Sequence, residues 1–255
     1  MNTHEALAGL VDEAARTAQA IPQLTETEAL SVDDAYEIQA LALERRYARG
    51  ERLIGVKMGL TSRAKMQQVG VEEVIWGRLT DAMRVEDGGV LSRARYIHPR
   101  AEPEIAFLLK APLAGDISAA EAMAALAGVA PAMEIIDSRY RNFKFTLSDV
   151  VADNSSSSGF VLGPWAHPDQ DLSNLGIIVE VDGRPVEIGS SAAILGHPLR
   201  SLVAAARLVS RACGRLEAGW IVLAGGATAA HPLTAGQHVR TTIENLGSVS
   251  FRVGD

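Results

Sequence analysis

Two apolar runs in this chain carry glutamate where a buried strand tolerates no lone charge, and the need to neutralise those acids constrains the fold. Glu102-Pro103-Glu104 stands at the start of Ile105 to Leu109, and Glu134 interrupts Ala132, Met133, Ile135 and Ile136. Side chains of a strand alternate between its faces, so Glu102 and Glu104 converge on one face. Like charges that close repel unless a cation neutralises them or one is protonated. On spacing alone a solvated strand edge accounts for the pair equally well; the apolar Ile105 to Leu109 is what carries it toward a buried sheet. A lone acid at 134 is costly to bury unless paired. A cation shared with the other two glutamates explains it, and so does a salt bridge to Arg139.

The ligand types narrow the cation. A single cysteine, Cys213, excludes an internal disulfide framework and thiolate-rich zinc or iron–sulfur sites. Three carboxylates, with the remaining positions left to water and substrate, suit Mg²⁺ or Mn²⁺ rather than zinc. Asp137 is three residues beyond Glu134 and on a strand faces the other way. Lys57 is a charge inside the apolar Leu53 to Leu60. A buried lysine either pairs with an acid or has its pKa lowered, which makes it a candidate acid–base or anion-binding group. A snorkelling surface lysine is the bland alternative. Asp81, Asp153 and Asn154 are weaker candidates, and His98 and His197 each precede a proline and so fit turns.

Around these residues the pattern reads as helices early and strands late. Leu7, Leu10, Val11, Ala14, Ala15 and Ala18 recur at helical spacing, with Asn2 or Thr3 as cap. Ser31 with Asp34 three residues on is a capping-box variant, and Gly50 ends that second helix. Leu53 to Met58 reads as a strand, and Tyr96 to Leu109 as extended. A third helix is expected from Ser118 to the break before Pro131, followed by a strand from Ala132 to Ile136. Asp182-Gly183 between Ile177 to Val181 and Pro185 to Ile188 signals a hairpin. A fourth helix from Pro198 to Ala212 and strands at Trp220 to Leu223, Gln237 to Ile243 and Val249 to Val253 complete the chain. Ser155 to Gly159 is a linker by composition, or equally a loop within one domain. Without regular β–α alternation, an α+β fold around a curved mixed or antiparallel sheet follows.

Composition excludes whole classes of function. The 255 residues are 47% hydrophobic, enough to bury a sizeable core. Twenty-four basic against 31 acidic residues give a net charge of −7 with no basic cluster, which disfavours nucleic acid. Aromatics at 5% supply no stacking platform for single strands. No window approaches the roughly 20 apolar residues of a membrane span, so a cytoplasmic location and no membrane partner are expected. Walker, Gly-x-Gly-x-x-Gly, Gly-x-Ser-x-Gly and His-Glu-x-x-His motifs are missing, which leaves a small molecule as the partner.

An ordered set of strings resembles the fumarylacetoacetate hydrolase superfamily over nearly the whole chain, and within it the hydratase/decarboxylase branch of catechol meta-cleavage pathways. They run from Gly55 to Ser62 (Gly-Val-Lys-Met-Gly-Leu-Thr-Ser), His98 to Ile105, Glu134 to Arg139, Val151 to Ser155, Leu195 to Leu199 and Leu246 to Val249. The resemblance implies a mixed β-roll with an N-terminal helical region, divided as residues 1–75 and 76–255. It implies Mg²⁺, with Mn²⁺ as the alternative, held by Glu102, Glu104 and Glu134, and a 2-oxo acid chelated through its C1 carboxylate and keto oxygen. The strings from Lys57 to Met66, Asp137 to Phe145 and Gly225 to Ala230 look more like the decarboxylases of the branch than its hydratases, with alanine at 224 where those decarboxylases carry threonine. The implied reaction is decarboxylation of 2-oxohex-3-enedioate, a small 2-oxo dicarboxylic acid. Lys57 and Asp81 are the implied catalytic residues and Leu60, Asp153, Asn154 and Ser155 the substrate-binding ones. Hydration of 2-hydroxypenta-2,4-dienoate is the alternative within the branch, and a non-enzymatic binding module the alternative outside it. The superfamily's hydrolases use a His and a Glu, commonly three residues apart, a spacing this chain lacks. The family likeness further implies a homo-oligomer that associates with the hydratase of the same pathway.

Overall fold

The second N-terminal helix forms where its capping signal puts it. The computed structural model describes residues 3–62 and 74–255. Asn2 and the stretch from Arg63 to Met66 of one motif lie outside the described residues. Helix α1 spans Thr3–Thr17 and α2 spans Val32–Ala48. At the start of α2 the Ser31 side chain accepts from the Asp34 amide while the Asp34 carboxylate accepts from the Ser31 amide, which satisfies two otherwise orphaned donors. Leu7, Ala8 and Val11 of α1 meet Ala35, Ile38 and Ala42 of α2 in one buried cluster. Gln39 is buried on α2 and donates to the backbone carbonyls of Trp76 (3.2 Å) and Val151 (2.9 Å), tying the helices to the sheet.

Two sheets make up the rest. Strands β1 (Leu53–Gly59), β2 (Ile75–Thr80), β3 (Arg84–Val85), β4 (Val90–Ser92), β5 (Arg100–Leu109), β6 (Leu126–Ile136) and β7 (Ser157–Leu162) precede β8 (Gly176–Val181) and β9 (Arg184–Ser190). The last four are β10 (Ile221–Leu223), β11 (His231–Pro232), β12 (His238–Ile243) and β13 (Gly247–Gly254). The eight-stranded sheet runs β2-β1-β10-β5-β6-β7-β3, with β11 on the side of β5; the five-stranded one runs β4-β13-β12-β8-β9. Parallel pairs (β1 with β10, β3 with β7, β13 with β4) occur among antiparallel ones, so the sheets are mixed. Strand β1 belongs to the segment before residue 75 yet pairs with β10 and β2, so that segment supplies a strand to the sheet that carries the carboxylates.

Helix α3 (Ala119–Ala124) is shorter than the sequence suggests. Its capping box at Ser118 forms, but the chain turns extended at Leu126 because Leu126 to Pro131 pairs along β5. Pro131 sits inside β6, one residue before the β7 ladder begins at Ala132, and its carbonyl accepts from the Gly163 amide. Tyr96 to Pro99 likewise precede the strand rather than belong to it. The Asp182-Gly183 hairpin forms with both residues at positive φ (51° and 75°), the conformation a two-residue turn between twisted strands demands. Helix α4 (Leu147–Ala152) packs under α2, and α5 (Pro198–Cys213) lies against the eight-stranded sheet. Residues 191–212 are long and apolar enough to cross a bilayer by composition, but Leu202, Ala205, Ala206 and Val209 are spent in the core against Met58, Phe107 and Val222.

Candidate metal centre

Strand register brings the three glutamates together. Glu102 and Glu104 are two residues apart on β5, and Glu134 on β6 is the direct cross-strand partner of Glu102. All three therefore share one face of the sheet. Each offers a carboxylate oxygen within 4.8 Å of the others. Glu104 and Glu134 are fully buried and Glu102 is 9% exposed, so the site opens toward Glu102. Burial pushes the Glu104 carboxyl well above the ordinary range, and Glu134 and Glu102 beside it push the same way. Burial also raises Glu134, with Lys57 opposing.

Lys57 is the counter-charge. It is 3% exposed, its ammonium lies 3.0 Å from Glu134, and it donates to the Ser155 carbonyl at 3.0 Å. Burial alone would lower its pKa, but Glu134, Glu104 and Glu102 outweigh that and hold it above the usual lysine value. It is thus the acid-paired lysine of the two alternatives, not a depressed one. Arg139 does not compete for Glu134: it pairs with Asp153 instead.

Among the described residues, the Lys57 ammonium faces all three carboxylates. Glu104 Oε1 and Glu134 Oε1 are buried with no hydrogen-bond partner, an arrangement costly unless something else takes their lone pairs. An all-oxygen donor set suits Mg²⁺ or Mn²⁺. These residues fit such an ion on donor type and orphaned atoms together.

The serine-rich stretch is part of this centre, not a linker. Asp153 to Ser157 is buried, and Asn154, Ser155 and Ser156 all have positive φ (49°, 52° and 61°). Each such non-glycine residue costs on the order of 1–2 kcal/mol. Asn154 offsets this by a reciprocal pair with Arg78: its Oδ1 accepts from the Arg78 amide (2.7 Å) and its Nδ2 donates to the Arg78 carbonyl (2.9 Å). Ser155 donates to the Trp76 carbonyl at 2.8 Å, leaving its own carbonyl aimed at Lys57. Asp153 accepts from the Arg139 amide and guanidinium. Burial lifts its carboxyl to about 7 with Arg139 opposing.

Three glycines whose roles the sequence did not reveal shape the site. A Cβ on Gly77 would overlap the Asn154 carbonyl, and one on Gly226 would overlap Glu102 Oε2. Gly225, at φ 106°, donates its amide to Glu104 Oε2 at 2.6 Å. The signal for the last two was the Gly225-Gly226 pair itself.

Two further candidates differ in their placement. The structure does not bring Asp81 to the carboxylates. It follows β2 at the end paired with Leu53, and accepts from the Arg52 amide and guanidinium at 2.9 Å each, which holds its carboxyl below the ordinary range. Lys57 pairs with Gly77, several residues back along that ladder. Leu60 follows β1 at φ 56°, and its side chain packs with the N-terminal helical cluster. Asp137 faces away as expected, accepting from the amides of Ile97 (2.8 Å) and His98 (2.7 Å).

The chain is similar to known proteins over most of its length. A family model described as fumarylacetoacetate (FAA) hydrolase C-terminal matches residues 52–254. A 4-oxalocrotonate decarboxylase of Pseudomonas sp. is 57% identical over 245 residues, covering 96% of each chain. A 2-hydroxyhexa-2,4-dienoate hydratase of Comamonas testosteroni is 36% identical over 247 residues, 94% of this chain and 93% of that one. The solved structure of a 4-oxalocrotonate decarboxylase from Pseudomonas putida G7, complexed with magnesium and adipate, superposes with a TM-score of 0.95 at 42% identity, covering 98% of this chain and 97% of that one. With its mixed curled sheets, N-terminal helices and buried carboxylates, the chain belongs to the fumarylacetoacetate hydrolase family.

Proposed function

We propose that this chain is a Mg²⁺-dependent carboxy-lyase that converts 2-oxohex-3-enedioate to 2-hydroxypenta-2,4-dienoate and CO₂, with Glu102, Glu104 and Glu134 as the metal ligands. The observation that carries the reading is the buried cluster of three carboxylates beside Lys57, with Glu104 Oε1 and Glu134 Oε1 left without hydrogen-bond partners. Decarboxylation is preferred to hydration because identity is 57% to a relative named for the first reaction and 36%, over a similar length, to one named for the second.

In this substrate the C6 carboxylate is vinylogously β to the C2 ketone. When the C5–C6 bond breaks, its electron pair forms C4=C5, the C3=C4 pair moves to C2–C3, and the C2=O pair ends on oxygen. A bound divalent cation supplies the Lewis acidity that makes that oxygen an electron sink. Lys57, kept protonated by its three acidic neighbours, acts as a hydrogen-bond donor and proton source beside the developing charge rather than as an amine nucleophile. Ser155 and Asn154 act by orienting it: the loop's strained backbone holds one carbonyl on Nζ. Asp153 locks that loop to Arg139. The enzyme works in the cytoplasm as a homo-oligomer, with the hydratase that consumes its product as the associated protein.

Incubating the purified protein with 2-oxohex-3-enedioate and Mg²⁺ while following CO₂ tests this. CO₂ release that stops on chelation with EDTA is expected. Turnover of 2-hydroxypenta-2,4-dienoate without CO₂ release would instead select the hydratase, and Mg²⁺ binding with neither reaction would leave a binding module.

A further inference from the structure

We propose that Arg100, stacked on Phe143, receives the distal carboxylate of a dicarboxylic 2-oxo acid whose keto-acid end lies at Glu102, Glu104 and Glu134; this rests on the reading of the site given above. Arg100 opens β5 two residues before Glu102, so its side chain leaves the sheet on the face that carries the glutamates. Two residues of strand span about 6.8 Å, comparable to the length of an extended six-carbon diacid. The site also opens in this direction: Glu104 is fully buried, Glu102 is 9% exposed, and Arg100 is half-buried.

The guanidinium is fixed but uncompensated. It lies 4.2 Å over the Phe143 ring, and no carboxylate pairs with it among the described residues. Its charge is therefore available to a ligand, while the aromatic face holds its plane. The Phe143 ring contacts His98 at 5.1 Å and Phe145 at 5.7 Å. His98 Nε2 is buried with no partner, a second polar atom beside the same ring left for a ligand to satisfy. Asn142 and Phe143 have φ of 60° and 55°. A bulky aromatic residue in the left-handed region is a strained conformation, retained here where it brings the ring beneath Arg100.

The physical consequence is discrimination between acids. A guanidinium at this point adds a charge-assisted contact to a ligand that ends in a carboxylate and nothing to one that ends in a methyl group. Arg100 is a specificity-determining residue in this account. Binding the carboxylate in the ground state lowers KM rather than raising kcat.

The test is calorimetric titration of the Mg²⁺-loaded protein with 2-oxohexanedioate and 2-oxohexanoate. Both present the same keto-acid end, and their saturated chains lack the alkene through which the C5–C6 bond pair would move. Wild type should prefer the diacid. In R100Q the diacid should bind roughly 10- to 100-fold more weakly while the monoacid is held as before, and R100K should recover part of the preference. An undiminished preference in R100Q, or a parallel loss of both acids, would overturn the assignment. If neither acid binds Mg²⁺-loaded wild type, the reading of the site itself fails, and that outcome is distinct from either of the others.

Discussion

Glu102 on β5 stands directly across from Glu134 on β6, a like-charged cross-strand pair inside a buried sheet. Such pairs oppose strand association unless neutralised. Lys57 supplies part of that neutralisation, and a divalent cation held there would add to it. Metal binding at this point would therefore act on the stability of the sheet as well as on the chemistry.

Glu104→Gln should separate the two roles. It removes one buried negative charge at nearly constant volume and keeps an acceptor for the Gly225 amide. In EDTA the variant should melt at a higher temperature than wild type. It should also lose most of the rise that Mg²⁺ gives wild type, which at 100 times the dissociation constant is about 2.7 kcal/mol. Thermal melts with and without Mg²⁺ check both parts.

Metal binding should be linked to protons. Burial raises Glu104 and Glu134 above the ordinary carboxylate range, so the metal-free fold holds protons that the unfolded chain has released. That stabilisation is complete at low pH and is lost as pH rises through the raised values. Lys57 stays protonated across the same window because its own pKa is raised. Metal-free protein should therefore lose stability with rising pH while Mg²⁺ affinity increases, and titration heats should vary with the buffer's ionisation enthalpy.

Lys57→Met should lower kcat/KM by about 10²- to 10⁴-fold while leaving Mg²⁺ binding intact, since Lys57 opposes rather than ligates the cation. Steady-state kinetics with parallel Mg²⁺ titration read this. Full activity in the variant would remove the lysine from the mechanism.

Gly226→Ala puts a methyl group where Glu102 Oε2 lies. The expected result is a folded protein with Mg²⁺ affinity reduced by about 10-fold or more, as when groups that orient metal ligands are lost. Calorimetry and circular dichroism together check it.

Much of this centre is legible in the sequence because its ligands break apolar patterns. Glu134 and Lys57 interrupt apolar runs, Glu102 and Glu104 open one, and strand alternation alone aligns the last two. The partner of Glu134 was not decidable, because local spacing offered Arg139 and only the tertiary fold diverts that arginine to Asp153. Ser155 to Gly159 reads as a linker or equally as a loop because the bonds that hold its buried start run to Trp76 and Lys57, distant in the chain. Alanines between Ser118 and Pro131 favour helix locally, but pairing with β5 overrides propensity from Leu126 onward. The place of Asp81, beyond the far end of the β1–β2 ladder from Lys57, follows only from the tertiary register.

Anomalous diffraction from crystals soaked in Mn²⁺ tests the central claim most directly. One peak is predicted among Glu102, Glu104 and Glu134, within direct coordination distance of an oxygen from each, roughly 2.1 Å as for Mg²⁺. A peak elsewhere, or none at a Mn²⁺ concentration that supports turnover, would contradict the account.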